Sequence, residues 1–110
     1  MMSANSYKTA LDKLLQAQKA LDDQDISTMP ADQAASLERS KSAIYQEIQA
    51  VQAQAISRRD DAYKIETTAF AGAKSDLESL SKWVSARAKL ESELFSVLTK
   101  GLSVALSLFF

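Results

Sequence analysis

The amino-acid sequence predicts an all-α protein, and three features of its composition and pattern support this fold class. The 110 residues include only two glycines and one proline, so the chain lacks the frequent turn residues that an all-β protein of this length requires. Alanine, leucine, glutamine, lysine and glutamate are abundant, and these residues lose little conformational freedom in a helix. Apolar residues recur every three to four positions, as on one face of a helix. We therefore expect a single helical domain over 1–110.

The first predicted helix covers about 5–23 and carries one apolar stripe. The members of this stripe are Tyr7, Leu11, Leu14 and Leu21. The acidic stretch 22–25 follows, and since carboxylates are unfavourable beside the partial negative charge of a helix C-terminus, we expect the helix to end there. Residues 24–29 form the predicted linker, and Pro30 then fits the first turn of the next helix.

A long second helix is expected over about 30–71. Its apolar positions repeat every seven residues, and the phase of the repeat changes near the polar patch 57–61, which indicates either a stutter in a continuous helix or a break. Gly72 at a C′ position and a capping-box pattern beginning at Ser75 favour a turn, after which a last helix covers about 75–108. The alternative is a helix that continues through Gly72, because a glycine inside a helix costs only about 1 kcal/mol relative to alanine.

The predicted architecture is a long antiparallel helical hairpin with the shorter N-terminal helix packed alongside, three helices in all. A helix rises about 1.5 Å per residue, so the second helix would be on the order of 60 Å long, and the first helix would cover about half of it. The uncovered half requires a partner, either a second copy of the chain or another protein. This mismatch in length is the reason to expect a homo-oligomer or a protein partner.

The composition removes most catalytic and metal-binding chemistry. The chain has no cysteine, so it offers no thiolate ligand and no cysteine nucleophile. It also has no histidine, which is the commonest general base and supplies the imidazole ligand of many metal sites. A net charge of −1, from 13 basic and 14 acidic residues, gives no field that would attract nucleic acid. We therefore expect a protein without enzyme activity, cofactor, metal or nucleic-acid partner.

The C-terminal segment 94–110 carries the most functional information, because it contains one charged residue and is apolar around its whole circumference. Three interpretations compete: burial in the core or in a seam between subunits, insertion into a membrane, and docking onto a partner protein. A helix that spans a membrane needs about 20 apolar residues, and this segment is shorter. The candidate contact residues are Trp83, Leu94, Leu98, Leu102, Leu106, Phe109 and Phe110.

The leading functional hypothesis is a non-enzymatic helical interaction or assembly module. It would self-associate or bind a protein partner through its long hairpin and its apolar C-terminal segment. The alternative is a membrane-active or membrane-associated protein that inserts 94–110, in the manner of small helical toxins or phage-type proteins. The polar start of the chain lacks the apolar stretch of a secretory signal, so the cytoplasm is the default expectation for its location.

Overall fold

A computed structural model describes residues 5–54 and 56–109, and it describes the backbone alone at 28 and 88–94. Its α-helices are α1 (Tyr7–Asp22), α2 (Ala31–Gln52), α3 (Thr68–Gly72) and α4 (Lys74–Leu106). Short 3-10 helices cover Ile26–Thr28, Ile56–Arg58 and Ser107–Phe109. The described part of the chain contains helices and connecting segments but no β-strand, so the predicted all-α class is confirmed.

The helix expected over about 5–23 is α1, and local capping sets its start. The Ser6 hydroxyl accepts a hydrogen bond from the backbone N–H of Thr9, 3.1 Å away, as an N-cap side chain does. In the linker, the Asp25 carboxylate accepts from the N–H of Ser27 at 2.9 Å and caps the first 3-10 helix. Pro30 then stands at the N-cap of α2. Asp32 lies in the first turn, where its negative charge interacts favourably with the helix dipole.

The long second helix expected over about 30–71 is interrupted. α2 ends at Gln52, and α-helix resumes only at Thr68, so the change of phase near 57–61 marks a break and not a stutter. The physical reason is that a helix in a small protein is stabilised mainly by packing of an apolar face, and the polar patch offers no apolar side chain to the core. Residues 53–67 are called the connecting segment below, and Ala55 within it lies outside the described residues.

A helix boundary lies at Gly72 as expected, because α3 ends there and α4 begins at Lys74, but the left-handed glycine cap of the expected turn does not form. Neither glycine of the described chain has a positive φ, and Ala73 joins α3 to α4 with right-handed helical angles, φ −78° and ψ −8°. The N–H of Leu77 donates to the carbonyl of Ala73 at 2.9 Å, which continues the helical pattern. α4 begins at Lys74 without a side-chain cap, so the capping box predicted at Ser75 does not form.

The chain instead reverses direction within α4. The rings of Trp83 and Phe95 are in edge-to-face contact with their centroids 5.2 Å apart, whereas residues at this spacing in a straight helix lie about 18 Å apart. Phe70, before α4, contacts Phe109, after it, with the ring centroids 4.8 Å apart. A straight helix of 33 residues would also be about 50 Å long, which exceeds the longest dimension of the protein, 45 Å. The two ring contacts require that α4 folds back, and the contact between Trp83 and Phe95 places the reversal between these two residues.

The N-terminal arm of α4 (74–83) and its C-terminal arm (95–106) pack with α1 and α2 around one core. The C-terminal arm runs antiparallel to α1, since Gly101 faces Ala20 while Lys13 Nζ donates to Ser107 Oγ at 3.2 Å. The protein measures 45 × 28 × 20 Å, so the described part of the chain contains no helix of about 60 Å that would be left uncovered. The mismatch in helix length that led us to expect an oligomer is therefore absent.

Candidate functional site

The C-terminal segment, the main sequence candidate, lies in the core. The side chains of Leu98 and Leu102 are 0% and 1% exposed, and Leu106 and Phe109 are partly buried against the same core. This placement agrees with the interpretation in which the segment is buried within its own chain. The Leu94 side chain and Phe110 lie outside the described residues. Within the described part of the chain, no helix combines the length and the apolar character needed to cross a bilayer.

Trp83, the other sequence candidate, is occupied by contacts within the chain. Its ring packs edge-to-face on Phe95, and the Arg87 guanidinium lies 4.7 Å from the centroid of the indole. Such a cation–π contact covers the ring face with a polar group. The indole is partly buried and joins the two arms of α4.

The most unusual polar group of the described chain is the Glu47 carboxylate of α2, which is 0% exposed. It accepts four hydrogen bonds, and all four donors belong to the connecting segment. The donors are the Tyr63 hydroxyl at 2.5 Å, the Glu66 N–H at 2.7 Å, the Thr67 N–H at 2.9 Å and the Thr67 hydroxyl at 2.8 Å. A buried carboxylate is tolerated when donors satisfy its lone pairs, and this site supplies them.

Tyr63 is held in its protonated form by this arrangement. Burial raises the pKa of the Tyr63 phenol far above its ordinary value, and the hydrogen bond to Glu47 raises it further. The phenol therefore stays a donor at neutral pH. Since its oxygens are engaged by four donors and closed off from solvent, the Glu47 carboxylate is not accessible to a substrate as a catalytic base.

The connecting segment also binds the N-terminus of α1. The first N–H groups of a helix have no partner within the helix. Here the N–H of Tyr7 donates to the carbonyl of Asp61 at 3.1 Å, and the N–H of Lys8 donates to the carbonyl of Arg59 at 3.0 Å. In the reverse direction, the N–H of Tyr63 donates to the carbonyl of Asn5 at 2.6 Å.

Side chains extend this attachment into a polar network. The Tyr7 hydroxyl donates to Glu66 Oε2 at 2.8 Å, and Gln54 Nε2 donates to Glu66 Oε1 at 2.7 Å. The Arg58 guanidinium lies 5.2 Å from the centroid of the Tyr7 ring, and the Tyr63 ring meets Tyr7 edge-on at 5.5 Å. Burial, followed by the hydrogen bond to Glu66, raises the pKa of the Tyr7 phenol.

Between α1 and α2, next to this network, lies an open groove of about 320 Å³. Its apolar lining, called the Ile56 surface below, consists of Tyr7, Leu11, Val51 and Ile56. Lys8, Asp12 and Arg59 are also part of the groove lining and bring charges of both signs to it. Ile56 is 81% exposed, compared with 53% for Val97, the next most exposed large apolar side chain among the described residues.

Neither the Glu47 site nor the Ile56 surface was among the residues selected from the sequence. A signal for Glu47 exists, because it lies three residues after Ile44 and four before Val51, on the apolar face of α2. No protein-family model matches the chain, and neither a curated protein nor a solved structure is detectably similar to it. Function must therefore be inferred from the geometry of the chain itself.

Proposed function

We propose that the protein is a non-enzymatic interaction module whose Ile56 surface binds a second copy of the same chain. The observation that carries this proposal is the exposure of Ile56, 81%, directly beside an apolar groove. A twofold symmetric contact pairs one surface with itself, so a projecting side chain and a groove on the same surface can fill each other. In such a dimer each Ile56 enters the groove of the other copy.

The surroundings of the groove support the same occupant. Leu15 on α1 and Tyr45 on α2 are further exposed apolar side chains on the two helices that form the groove. Lys8 and Arg59 provide positive charge and Asp12 negative charge, so a rotated copy can place opposite charges across the contact. The groove therefore combines an apolar lining with charges of both signs, as known protein interfaces do.

The contact is expected to be weak. Full burial of an isoleucine side chain contributes about 1.5–3 kcal/mol, and the dimer buries two of them. Stable complexes cover about 800 Å² on each partner, and a single groove supplies only part of such an area. We therefore expect a dimer that forms in the micromolar to millimolar range and dissociates on dilution.

In this proposal the contact surface is the Ile56 surface and not the C-terminal segment. Leu98 and Leu102 already fill the core, so an interface built on them would first have to remove them from it. The same cost applies to membrane insertion of 94–110. No observation on the described residues favours that alternative over the Ile56 surface.

Sedimentation equilibrium over a wide concentration range tests the proposal. The variants are Ile56→Ser and the control Val97→Ser, which removes an exposed apolar side chain from the C-terminal arm of α4 instead. We expect the wild type and Val97→Ser to share one dimerisation constant and Ile56→Ser to dimerise at least about tenfold more weakly. A wild type that stays monomeric throughout, or equal effects of the two substitutions, would contradict the proposal. Flotation of the monomer with lipid vesicles would favour the membrane alternative instead.

A further inference from the structure

The connecting segment is attached to the rest of the protein mainly by hydrogen bonds. None of its described residues is fully buried, and Tyr63 and Ile65 are its only large apolar side chains that pack partly against the core. Segments with few buried apolar contacts open locally without unfolding of the whole domain. The hydrogen bonds described above must therefore decide whether this segment is docked.

We propose that the Glu47 carboxylate controls the docking of the connecting segment, and thereby switches the Ile56 surface between a formed and an unformed state. Resting on the proposed function, this inference adds a means of regulation to the same surface. One side chain accepts four hydrogen bonds from three residues of the segment. Because all four donors reach the same two oxygens, the attachment is concentrated at one point.

Release at this point would dismantle the Ile56 surface as a unit. The segment carries Ile56 itself, and its carbonyl groups are the partners of the first N–H groups of α1, including that of Tyr7. Tyr7 also loses the edge contact of Tyr63 when the segment leaves. The groove therefore loses Ile56 and, at the same time, the hydrogen bonds and ring contact that hold Tyr7 in place. The contact between Gly101 and α1 lies elsewhere and remains.

Amide hydrogen exchange of the full-length protein, measured residue by residue by NMR, tests the inference with Glu47→Gln. Glutamine keeps the size of the side chain and one carbonyl oxygen, but it turns an NH₂ group toward a donor. The reporters are the amides of Tyr7, Lys8, Tyr63, Glu66 and Thr67, all of which are hydrogen-bonded at the segment. We expect these amides to exchange at least about tenfold faster through an opening that hardly depends on denaturant, whereas the amides in the C-terminal arm of α4 should keep the denaturant dependence of global unfolding.

The matched control is Glu38→Gln, which changes the same chemical group on the exposed side of α2 and should leave the reporter amides unchanged. Unaltered exchange in Glu47→Gln, or reporter amides that exchange with the same denaturant dependence as the C-terminal arm, overturns the inference. If Glu47→Gln does not fold, Tyr63→Phe removes one of the four hydrogen bonds and keeps the ring. It should then raise exchange at the same amides by a few fold, and no rise overturns the inference.

The two proposals can fail separately. Ile56→Ser leaves all hydrogen bonds of the segment in place, so its reporter amides should exchange as in the wild type under conditions where both proteins are monomeric. If Glu47→Gln abolishes the protection of the reporter amides, so that the segment is undocked in most molecules, and dimerisation is unaffected, the Ile56 surface is not the contact and the control of docking by Glu47 stands. If the segment stays docked in Glu47→Gln, the control by Glu47 is wrong whatever the dimer does.

Discussion

The contact between α1 and the C-terminal arm of α4 differs in kind from the attachment of the connecting segment. The first is apolar and close: Leu98 and Leu102 are buried, and a Cβ placed on Gly101 would lie 2.5 Å from the Cβ of Ala20. The second depends on one buried carboxylate and on backbone hydrogen bonds. Close apolar packing stabilises the domain as a whole, whereas a few polar contacts can open locally. We therefore expect the contact between α1 and the C-terminal arm to determine the stability of the whole domain, and the connecting segment to open and close locally.

The largest effect is expected from Leu102→Ala in the apolar contact. Removal of a buried leucine side chain costs about 2–5 kcal/mol of unfolding free energy, because it loses apolar burial and leaves a cavity. Urea unfolding followed by circular dichroism measures this loss. Val97→Ala, in the same arm but half exposed, is the control and should change stability by about 0.5 kcal/mol or less. A loss below about 1 kcal/mol for Leu102→Ala would contradict the burial of this side chain.

The two glycines should respond to alanine with opposite signs. At Gly101 the new methyl group meets Ala20, and overpacking of about 1–3 kcal/mol outweighs the gain of about 1 kcal/mol in helix propensity. At Gly72 a new Cβ has no atom within 4 Å, and its φ is not positive, so alanine should stabilise the protein by up to about 1 kcal/mol. Thermal unfolding of both variants checks the prediction. Destabilisation by Gly72→Ala would indicate a left-handed conformation at Gly72 and would contradict the φ found there.

Alkaline pH should weaken the connecting segment before the apolar contact. Burial raises the folded-state pKa of Tyr63, so its contribution to stability is present below the ordinary phenol pKa of about 10 and is lost as the pH rises above it. Tyr63→Phe should lack this part of the alkaline loss, because phenylalanine has no proton to release. Unfolding free energies of both proteins at neutral and alkaline pH measure the difference. An identical pH dependence in the two proteins would contradict both the burial of the Tyr63 phenol and its hydrogen bond to Glu47.

The smallest effect is expected at the bridge between Arg39 of α2 and Asp76 of α4. Two hydrogen bonds join them, from Nε at 3.0 Å and from a terminal guanidinium nitrogen at 2.9 Å, and they lower the pKa of Asp76. Arg39 is exposed, and such pairs contribute little to stability because water and salt screen them. Arg39→Gln should therefore shift the melting temperature only slightly. The shift should disappear as the pH falls and Asp76 is protonated, and a large shift that persists at low pH would contradict this account.

Local signals in the sequence predicted the ends of elements better than their connections. The acidic stretch after Leu21 and the position of Pro30 correspond to the end of α1 and the start of α2. The reversal within α4 carries no glycine or proline between Trp83 and Phe95, so nothing local marks it. The residues there are helical, as their propensity indicates, and it is the packing of the two arms on one core that determines the change of direction.

The candidate sites were harder to predict for a related reason. An apolar segment such as 94–110 is conspicuous in a sequence whether it is buried in the core of its own chain or exposed to a partner. Its composition alone therefore cannot distinguish these states. Glu47 carries the opposite difficulty, since a glutamate on a helix is normally solvated. Its burial depends on donors contributed by residues 63–67, which only the folded chain brings to it.

Native-state hydrogen exchange of the wild-type protein, measured at increasing concentrations of denaturant, tests the difference between the two regions most directly. We predict that the Glu66 and Thr67 amides open at a lower free energy than the amides of Leu98 and Leu102, and that this opening hardly depends on denaturant. The amides of the C-terminal arm should exchange only through global unfolding. Equal opening free energies with the same denaturant dependence in both regions would contradict the account, because the connecting segment would then be part of one cooperative unit with the core.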